Sequence, residues 1–287
     1  MYYVLFNPLS NNKTGLKAAC EVQAILGEKD VSLEDVTQFS SYSDFFTKVT
    51  AEDEIVLCGG DGTLNCFIND IVCENLKNKV YYYASGSGND FAHDVENDTK
   101  FLEKLIPLNK YLKSLPVVTV NDQKKYFING IGFGIDGYCC EAGDDMRAKA
   151  SSEEVINYTA IAIKGLLGKF KPSNGKVTVD GVTKSYKKIW LAPTMIGKYY
   201  GGGMKVAPAQ NRLNEEKKVS CVVWHGSGKL STLIAFPSIF KGEHIKHKKM
   251  IEIMEGHEVT VEFDKPQALQ IDGETVRNVT KYSVVYK

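Results

Sequence analysis

Three short clusters in this chain carry residue types that could do chemistry. The first is Gly59-Gly60-Asp61-Gly62-Thr63, with Asn65 two positions on. Apolar residues of strand type, Ile55 to Cys58, run straight into it, and Leu64, Phe67, Ile68, Ile71 and Val72 follow at the spacing of one helix face. Glycines at such a strand-to-helix turn leave backbone N–H groups unpaired where the helix macrodipole favours an anion. They are expected to supply positive φ and to let a phosphate approach without a Cβ in the way. An aspartate in that cradle would repel the phosphate unless Mg2+ or a hydrogen-bond network lies between them. At an ordinary corner the same Asp61 would simply cap its own helix.

The second cluster is Ser85-Gly86-Ser87-Gly88-Asn89-Asp90-Phe91-Ala92, another glycine loop after a strand at Val80 to Ala84. The third is Gln270-Ile271-Asp272-Gly273-Glu274. Asp-Gly after an apolar strand makes a tight turn, from which Glu274 projects as a fixed carboxylate. Read alone, an acid after such a turn is usually just solvated.

The elements that must position these clusters fall into two textures. Up to about residue 114 strands alternate with helices, as in an α/β nucleotide-binding domain with a Rossmann-like parallel sheet. A strand at Tyr2 to Phe6 ends in Asn7-Pro8-Leu9-Ser10, and a helix follows with Leu16, Ala19, Cys20, Val22 and Leu26 among its apolar positions. Val31 to Val36 reads as a second strand with Thr37 at its carboxyl end, the rim where open α/β sheets bind ligands. From 115 to 287 short strands dominate, and the pattern predicts a mostly antiparallel β-sandwich. Those strands are Val117–Val120, Lys125–Asn129, Lys176–Val179, Lys187–Ala192, Val219–Trp224, Met250–Met254, Val259–Phe263, Ala268–Ile271 and one around Tyr282 to Tyr286. One helix, Glu153 to Leu167, is expected to bury Ile156, Ala160, Ile163 and Leu167.

Gly132-x-Gly134-x-x-Gly137 fits a dinucleotide fingerprint by letter only, because Tyr138 to Asp145 shows no helical stripe after it. Lys241 to Lys249 concentrates Lys241, Lys246, Lys248 and Lys249 with His244 and His247. That cluster could lean on an anionic membrane or stand as a solvated loop.

Gly59-Gly60-Asp61-Gly62-Thr63 resembles the phosphate-binding motif of the diacylglycerol kinase-like lipid kinases, a family that includes sphingosine kinases and bacterial lipid kinases. NAD kinases and phosphofructokinases carry a similar turn. Gly86-Ser87-Gly88-Asn89-Asp90-Phe91 is similar to that family's second signature, and Asn7-Pro8 to its opening. The resemblance implies an ATP-dependent lipid kinase of the NAD kinase/diacylglycerol kinase type, with its active cleft between the two domains and a lipid acceptor at a membrane surface. It implies nucleotide contacts from Asn7, Ser10, Thr37, Gly59, Gly60, Asp61, Gly62, Thr63, Asn65, Ser87 and Asn89. Asp61 and Asp90 would organise Mg2+, directly or through water, and Glu274 would be the general base. Relatives have aspartates after the segment matching Tyr199 to Pro208, part of a structural Mg2+ site. Here Asn211 to Ser220 lacks them, with Glu215 or Glu216 as substitutes. Two other readings stand beside the kinase: a nucleotide-binding regulator that has lost turnover, and an NAD kinase-like enzyme.

Composition narrows the field. The 35 basic and 35 acidic residues cancel, which argues against a large nucleic-acid footprint. No apolar run is long enough to span a bilayer, and Met1 to Phe6 lacks the basic start of a secretory signal. Seven cysteines without a C-x-x-C pair read mostly as small buried residues in a reducing cytoplasm. A peripheral seat at the membrane fits that location, and exposed strand edges leave a homodimer open.

Overall fold

The computed structural model describes residues 1–71, 76–96, 104–149 and 158–287, in two compact units, Met1–Leu115 and Pro116–Lys287. In the first unit, apolar runs become β1 (Tyr2–Phe6), β2 (Val31–Asp35), β3 (Glu54–Gly59) and β4 (Lys79–Ala84). They pair in parallel in the order β2-β1-β3-β4, and the short β5 (Ile106–Pro107) closes one edge antiparallel. β3 is buried along nearly its whole length, as a central parallel strand covered on both faces should be. The connecting helices are α1 (Ser10–Lys13), α2 (Gly15–Leu26), α3 (Tyr42–Phe46), α4 (Asp61–Asp70), α5 (Asp90–Val95) and α6 (Asn109–Leu112).

On α2 the buried stripe is Gly15, Ala18, Ala19, Val22 and Leu26, whereas Leu16 and Cys20 are exposed. The stripe follows the 3.6-residue period through small residues, and Leu16 and Cys20 lie on its flank. Val72, expected to extend the stripe of α4, lies outside the described residues, as does Cys73. The six described cysteines are free thiols, with Cys58, Cys139 and Cys221 buried but Cys20 and Cys66 exposed.

The second unit contains β6 (Val117–Val120), β7 (Gln123–Tyr126), β8 (Gly130–Gly134), β9 (Ser173–Val179), β10 (Val182–Ile189) and β11 (Leu191–Met195). It continues with the small ribbon β12 (Tyr199–Tyr200) and β13 (Met204–Lys205), then β14 (Val219–Trp224), β15 (Ile251–Gly256), β16 (Glu258–Ile271) and β17 (Glu274–Val285). The antiparallel path runs β15-β14-β11-β8-β16-β17-β6-β7, with the β9–β10 hairpin joined to β16. Asn121-Asp122, Asp180-Gly181 and Asp272-Gly273 have φ of 48 and 62, 45 and 82, and 46 and 92. Positive φ at both central positions marks tight hairpin turns whose twist suits the flanking strands.

Two expected strands, Val259–Phe263 and Ala268–Ile271, are halves of one long β16. Its first half pairs with β9 and its second with β8, and the register shifts between Glu262 and Gln267. Pro266 falls at that bend, where the ladder does not need its missing N–H. The last strand begins at Glu274 and pairs with β16 and β6, within the second unit.

Two helix expectations are corrected. The stretch after Gly134 is a 15-residue helix, α7 (Ile135–Lys149), whose buried residues include Gly137, Cys139 and Gly143. A Cβ on Gly137 would stand 2.0 Å from the carbonyl oxygen of Ala268, so a small-residue face lets α7 lie directly on β16. A stripe of glycines leaves no apolar period to read. In the expected helix from Glu153, residues 150–157 lie outside those described; α8 (Tyr158–Lys164) runs into a π-turn at Gly165–Lys169. Ile161, Ala162, Leu166 and Phe170 are buried there, while Ile163 and Leu167 point outward. This stretch is apolar on both sides, so spacing alone cannot pick the inner face.

Candidate functional site

The parallel register sets the rim of the first unit. Phe6 pairs with Cys58 and with Asp35, and Gly59 pairs with Ala84. The loops that start at Asn7, Val36, Gly60 and Ser85 therefore leave the sheet side by side, at the carboxyl ends of β1 to β4.

Asn7 is fixed by a local turn. Its Oδ1 accepts the Leu9 N–H at 2.9 Å, and its carbonyl accepts the N–H and hydroxyl of Ser10 at 3.0 and 2.8 Å. Gly15 packs beneath, where a Cβ would meet the Asn7 carbonyl oxygen at 1.9 Å. Thr37 is exposed, and its hydroxyl donates to Asp35 Oδ1 at 2.7 Å.

The two glycine loops are pressed together. A Cβ on Gly86 would stand 2.5 Å from the Gly60 Cα, and one on Gly59 would strike the Thr63 side chain at 2.3 Å. Neither Gly59, Gly60 nor Gly86 has positive φ, so close approach is what requires glycine here, and the expectation of left-handed backbone is corrected. The left-handed residue is Asn89, at φ 54. Its side chain accepts the Gly86 N–H at 2.9 Å and donates to the Gly86 carbonyl at 2.8 Å, closing the second loop on itself. Ser87 is exposed at its tip.

Asp61 joins the loops. One carboxylate oxygen accepts the N–H of Asp90 and the other that of Phe91, each at 3.0 Å. Asp61 thus caps the helix after the second loop, α5, while Gly60 is the N-cap of its own helix. These are charge-assisted bonds, shorter and stronger than neutral ones as a class. Asn65 and Asp90 are buried, at 6% exposure each, and Asn65 accepts from the Asn69 side chain. Beneath the loops, burial pushes the Tyr82 hydroxyl well above its usual range, with the charges of Asp61 and Asp90 adding to the effect.

In the second unit, the turn before Glu274 is held from behind. Asp272 accepts three backbone N–H groups, from Ile128, Asn129 and Gly130 at 2.7, 2.8 and 2.9 Å. Gln270 Oε1 accepts the Gly273 N–H at 2.9 Å. Glu274 is exposed, and the pairings Ile271–Glu274 and Leu269–Val276 put it on the face that carries Ile271 and Val276. Those two residues, with Val118, Val120, Asn121, Gln123 and Lys125, line a small hollow of mixed polarity, about 130 Å3.

Sequence reasoning passed over Asp136, inside the discounted glycine fingerprint. It lies in the first turn of α7, is 5% exposed, and neither carboxyl oxygen has a partner in hydrogen-bonding geometry. Burial pushes its pKa up to about 7, against the nearby amides of Gly137 and Asp136 and the side chains of Gln270 and Tyr200, which pull it down. The clue available in the sequence was an acid inside an otherwise apolar, glycine-rich run. The folded chain holds this proton up to about 7, whereas the unfolded chain releases it near 3.8. Unfolding therefore releases a proton between those values, and stability falls as pH rises through that window. In denaturant titrations across the window, the stability difference between the native protein and Asp136→Asn is expected to change by roughly 1 kcal/mol per pH unit. A difference that stays constant with pH would assign the titration elsewhere. β8 is antiparallel to β11 and β16, so this fingerprint does not open a parallel dinucleotide-binding unit.

The stretch from Asn211 to Ser220, where the resemblance implied a metal segment, is built around a buried cation. Arg212, 7% exposed, donates to the Ile128 carbonyl at 2.6 Å and to Asn129 Oδ1 at 3.1 Å. Residues 128–130 are thus gripped at their N–H groups by Asp272 and at a carbonyl by Arg212. Ser220 donates to Gln210 Oε1 at 2.6 Å, and Gln210 donates to the Lys218 carbonyl at 2.9 Å. Glu215 and Glu216 are exposed, and Glu216 pairs with Lys218. Among the described residues no three His, Cys, Asp or Glu side chains converge to hold a metal. Arg212→Met is expected to cost about 1–3 kcal/mol by removing its hydrogen bonds to the Ile128 carbonyl and to Asn129. Chelator should leave the Tm of the native protein unchanged; a large drop with EDTA would mean that a metal, not Arg212, holds this segment.

The comparisons with known proteins follow this division. Residues 1–120 match the "Diacylglycerol kinase catalytic domain", and residues 129–285 match the "YegS C-terminal NAD kinase beta sandwich-like domain". The chain aligns with the crystal structure of a "putative diacylglycerol kinase" from Bacillus anthracis str. Sterne at TM-score 0.68 and 15% identity, covering 100% of this chain and 92% of that one. That likeness defines the fold class: a mixed α/β unit with a parallel sheet, followed by an antiparallel β unit. The chain belongs to the diacylglycerol kinase-like lipid kinase family. Among relatives, the "Putative lipid kinase YtlR" of Bacillus subtilis (strain 168) is 21% identical over 228 residues, 73% of each chain. The "Diacylglycerol kinase" of the same strain is 26% identical over 230 residues, 77% of this chain and 71% of its own.

Proposed function

We propose that this chain is an ATP-dependent lipid kinase that transfers the γ-phosphoryl group to a hydroxyl of a diacylglycerol-like acceptor. The observation that carries the reading is the double glycine loop tied by Asp61, at the carboxyl edge of a parallel sheet. At such a rim the first-turn amides of α4, which have no partner within their own helix, suit phosphates, and glycine backbones let the phosphates come close. Asn7, Ser10, Thr37, Gly59, Gly60, Gly62, Thr63, Asn65, Ser87 and Asn89 would form or support the nucleotide seat.

Kinases hold Mg2+ through substrate phosphates, water and one or two carboxylates. Asp61 and Asp90 fit that sparse donor set, and Mg2+ bound there would neutralise charge developing on the phosphates. For the transfer, Glu274 takes the proton of the acceptor hydroxyl as its oxygen bonds to the γ-phosphorus. The bond to the β,γ-bridging oxygen breaks, and ADP leaves. The match to the diacylglycerol kinase catalytic domain and the lipid kinases among the relatives support an acceptor with a hydrocarbon part. Free thiols suit a reducing cytoplasm, and a lipid acceptor calls for work at a membrane surface.

The test is incubation with γ-labelled ATP, Mg2+ and diacylglycerol dispersed in nonionic detergent, with NAD in a parallel tube. Label extracted with the lipid is expected. Label on NAD alone would make the protein an NAD kinase-like enzyme, and ATP binding without any labelled product would make it a regulator.

A further inference from the structure

The second unit carries an apolar face that its own core does not use. α8, the π-turn after it and α9 (Lys229–Ala235) cover one cluster, with Ile161, Leu166, Phe170, Ala235, Phe236 and Ile239 turned inward. On the outside, Leu230 and Ile234 are 71% and 72% exposed, one helical turn apart on α9. Leu167 is 58% exposed on the π-turn, and Ile163 and Phe240 are also exposed. The Lys229 ammonium reaches the Gly168 carbonyl at 3.5 Å, which makes the two tips neighbours. Isolated exposed leucines are ordinary, but a cluster on adjoining elements marks a contact surface.

Charge says what the face contacts. The whole chain is neutral, yet residues 158–171 and 226–249 together hold eight lysines and one glutamate. Lys164, Lys171, Lys229 and Lys241 are exposed, and the lone Glu243 is taken up by Lys246. His244, placed in this basic cluster by sequence, does not contribute charge. It is fully buried, donates to the Val206 carbonyl at 3.0 Å, and burial pushes its pKa down to about 4.

We propose that this face docks on an anionic lipid bilayer, with Leu167, Leu230 and Ile234 entering the headgroup–acyl boundary and the surrounding lysines engaging anionic headgroups. A basic rim around an apolar tip suits that surface on both counts. A second copy of the chain is a poorer occupant, because a two-fold interface on this face would set lysines against lysines. The inference deepens the lipid-kinase reading, which needs a membrane where the acceptor resides, but its test uses no nucleotide.

The experiment is sedimentation of the 287-residue chain with vesicles of phosphatidylcholine alone or mixed with phosphatidylglycerol. Binding is expected only with the anionic lipid, and it should weaken as salt rises. Leu230→Ser with Ile234→Ser should lower vesicle affinity by about tenfold or more, and Lys229→Glu with Lys241→Glu should weaken it comparably. All four positions are exposed, and circular dichroism checks that the variants fold. Equal binding to neutral and anionic vesicles, no binding, or unchanged binding by both variants would overturn the proposal. So would a concentration-dependent dimer abolished by the Leu230 and Ile234 changes, which would give the face to a second copy. Phosphorylation of a detergent-dispersed acceptor separates the two readings. Activity there without vesicle binding leaves the kinase and removes the docking face. Vesicle binding without activity does the reverse.

Discussion

Glu274→Gln is expected to lower kcat by about 10²–10⁴-fold, the range over which a positioned base contributes, and to leave ATP affinity at the native level. The substitution is nearly isosteric and sits at an exposed position. The turn that presents it is held by Asp272 through three backbone N–H bonds and by Gln270 through the Gly273 N–H, none of which the change touches. Folding should therefore be unaffected, and what disappears is the ability to accept a proton. Phosphoryl transfer depends mostly on positioning and charge stabilisation, so residual activity above background is also expected. Turnover near that of the native protein would remove Glu274 from the mechanism.

Asp61→Ala should act on stability and on nucleotide binding together. The carboxylate satisfies the two N–H groups that begin α5, and losing it strands both at a partly buried site. Each stranded donor or lost cap costs about 1–3 kcal/mol, enough to lower Tm by several degrees. Because the same bonds fasten the second glycine loop to the first, ATP titration should show weakened binding even well below the Tm. Asp61→Asn keeps one acceptor oxygen, so it should recover part of the stability but not the charge. A variant with native Tm and native ATP affinity would mean that the two loops do not need this tie, and that the nucleotide sits elsewhere.

Much of the first unit was legible because β1, β3 and β4 carry short apolar runs that stop at Asn-Pro or at a glycine loop, and such runs become buried parallel strands. β1 and the carboxyl end of β3 fall where the pattern put them. The job of Asp61 was not legible, since its partners lie 29 and 30 residues away and only the sheet register brings them close. Nor could spacing show that Gly60 and Gly86 need one another. In the second unit the hairpin turns at Asn121, Asp180 and Asp272 were announced by their Asx-rich pairs. α7 was hidden because it packs through glycines, and Arg212 because a buried cation looks like any surface arginine until its carbonyl partners are seen. The outward placing of Ile163 and Leu167 reverses the expected helix face, which also brings the apolar patch on α8 and α9 into view.

The central claim is that the twin glycine loops seat the phosphates of ATP. Titrating Mn2+·ATP into isotopically labelled protein tests it most directly, because the paramagnetic ion broadens nearby amide signals. The expected result is early loss of the Gly60 to Thr63 and Gly86 to Asp90 amide peaks, reversed by excess Mg2+·ATP. Broadening confined to other segments, with both loops unchanged at saturating nucleotide, would contradict the account.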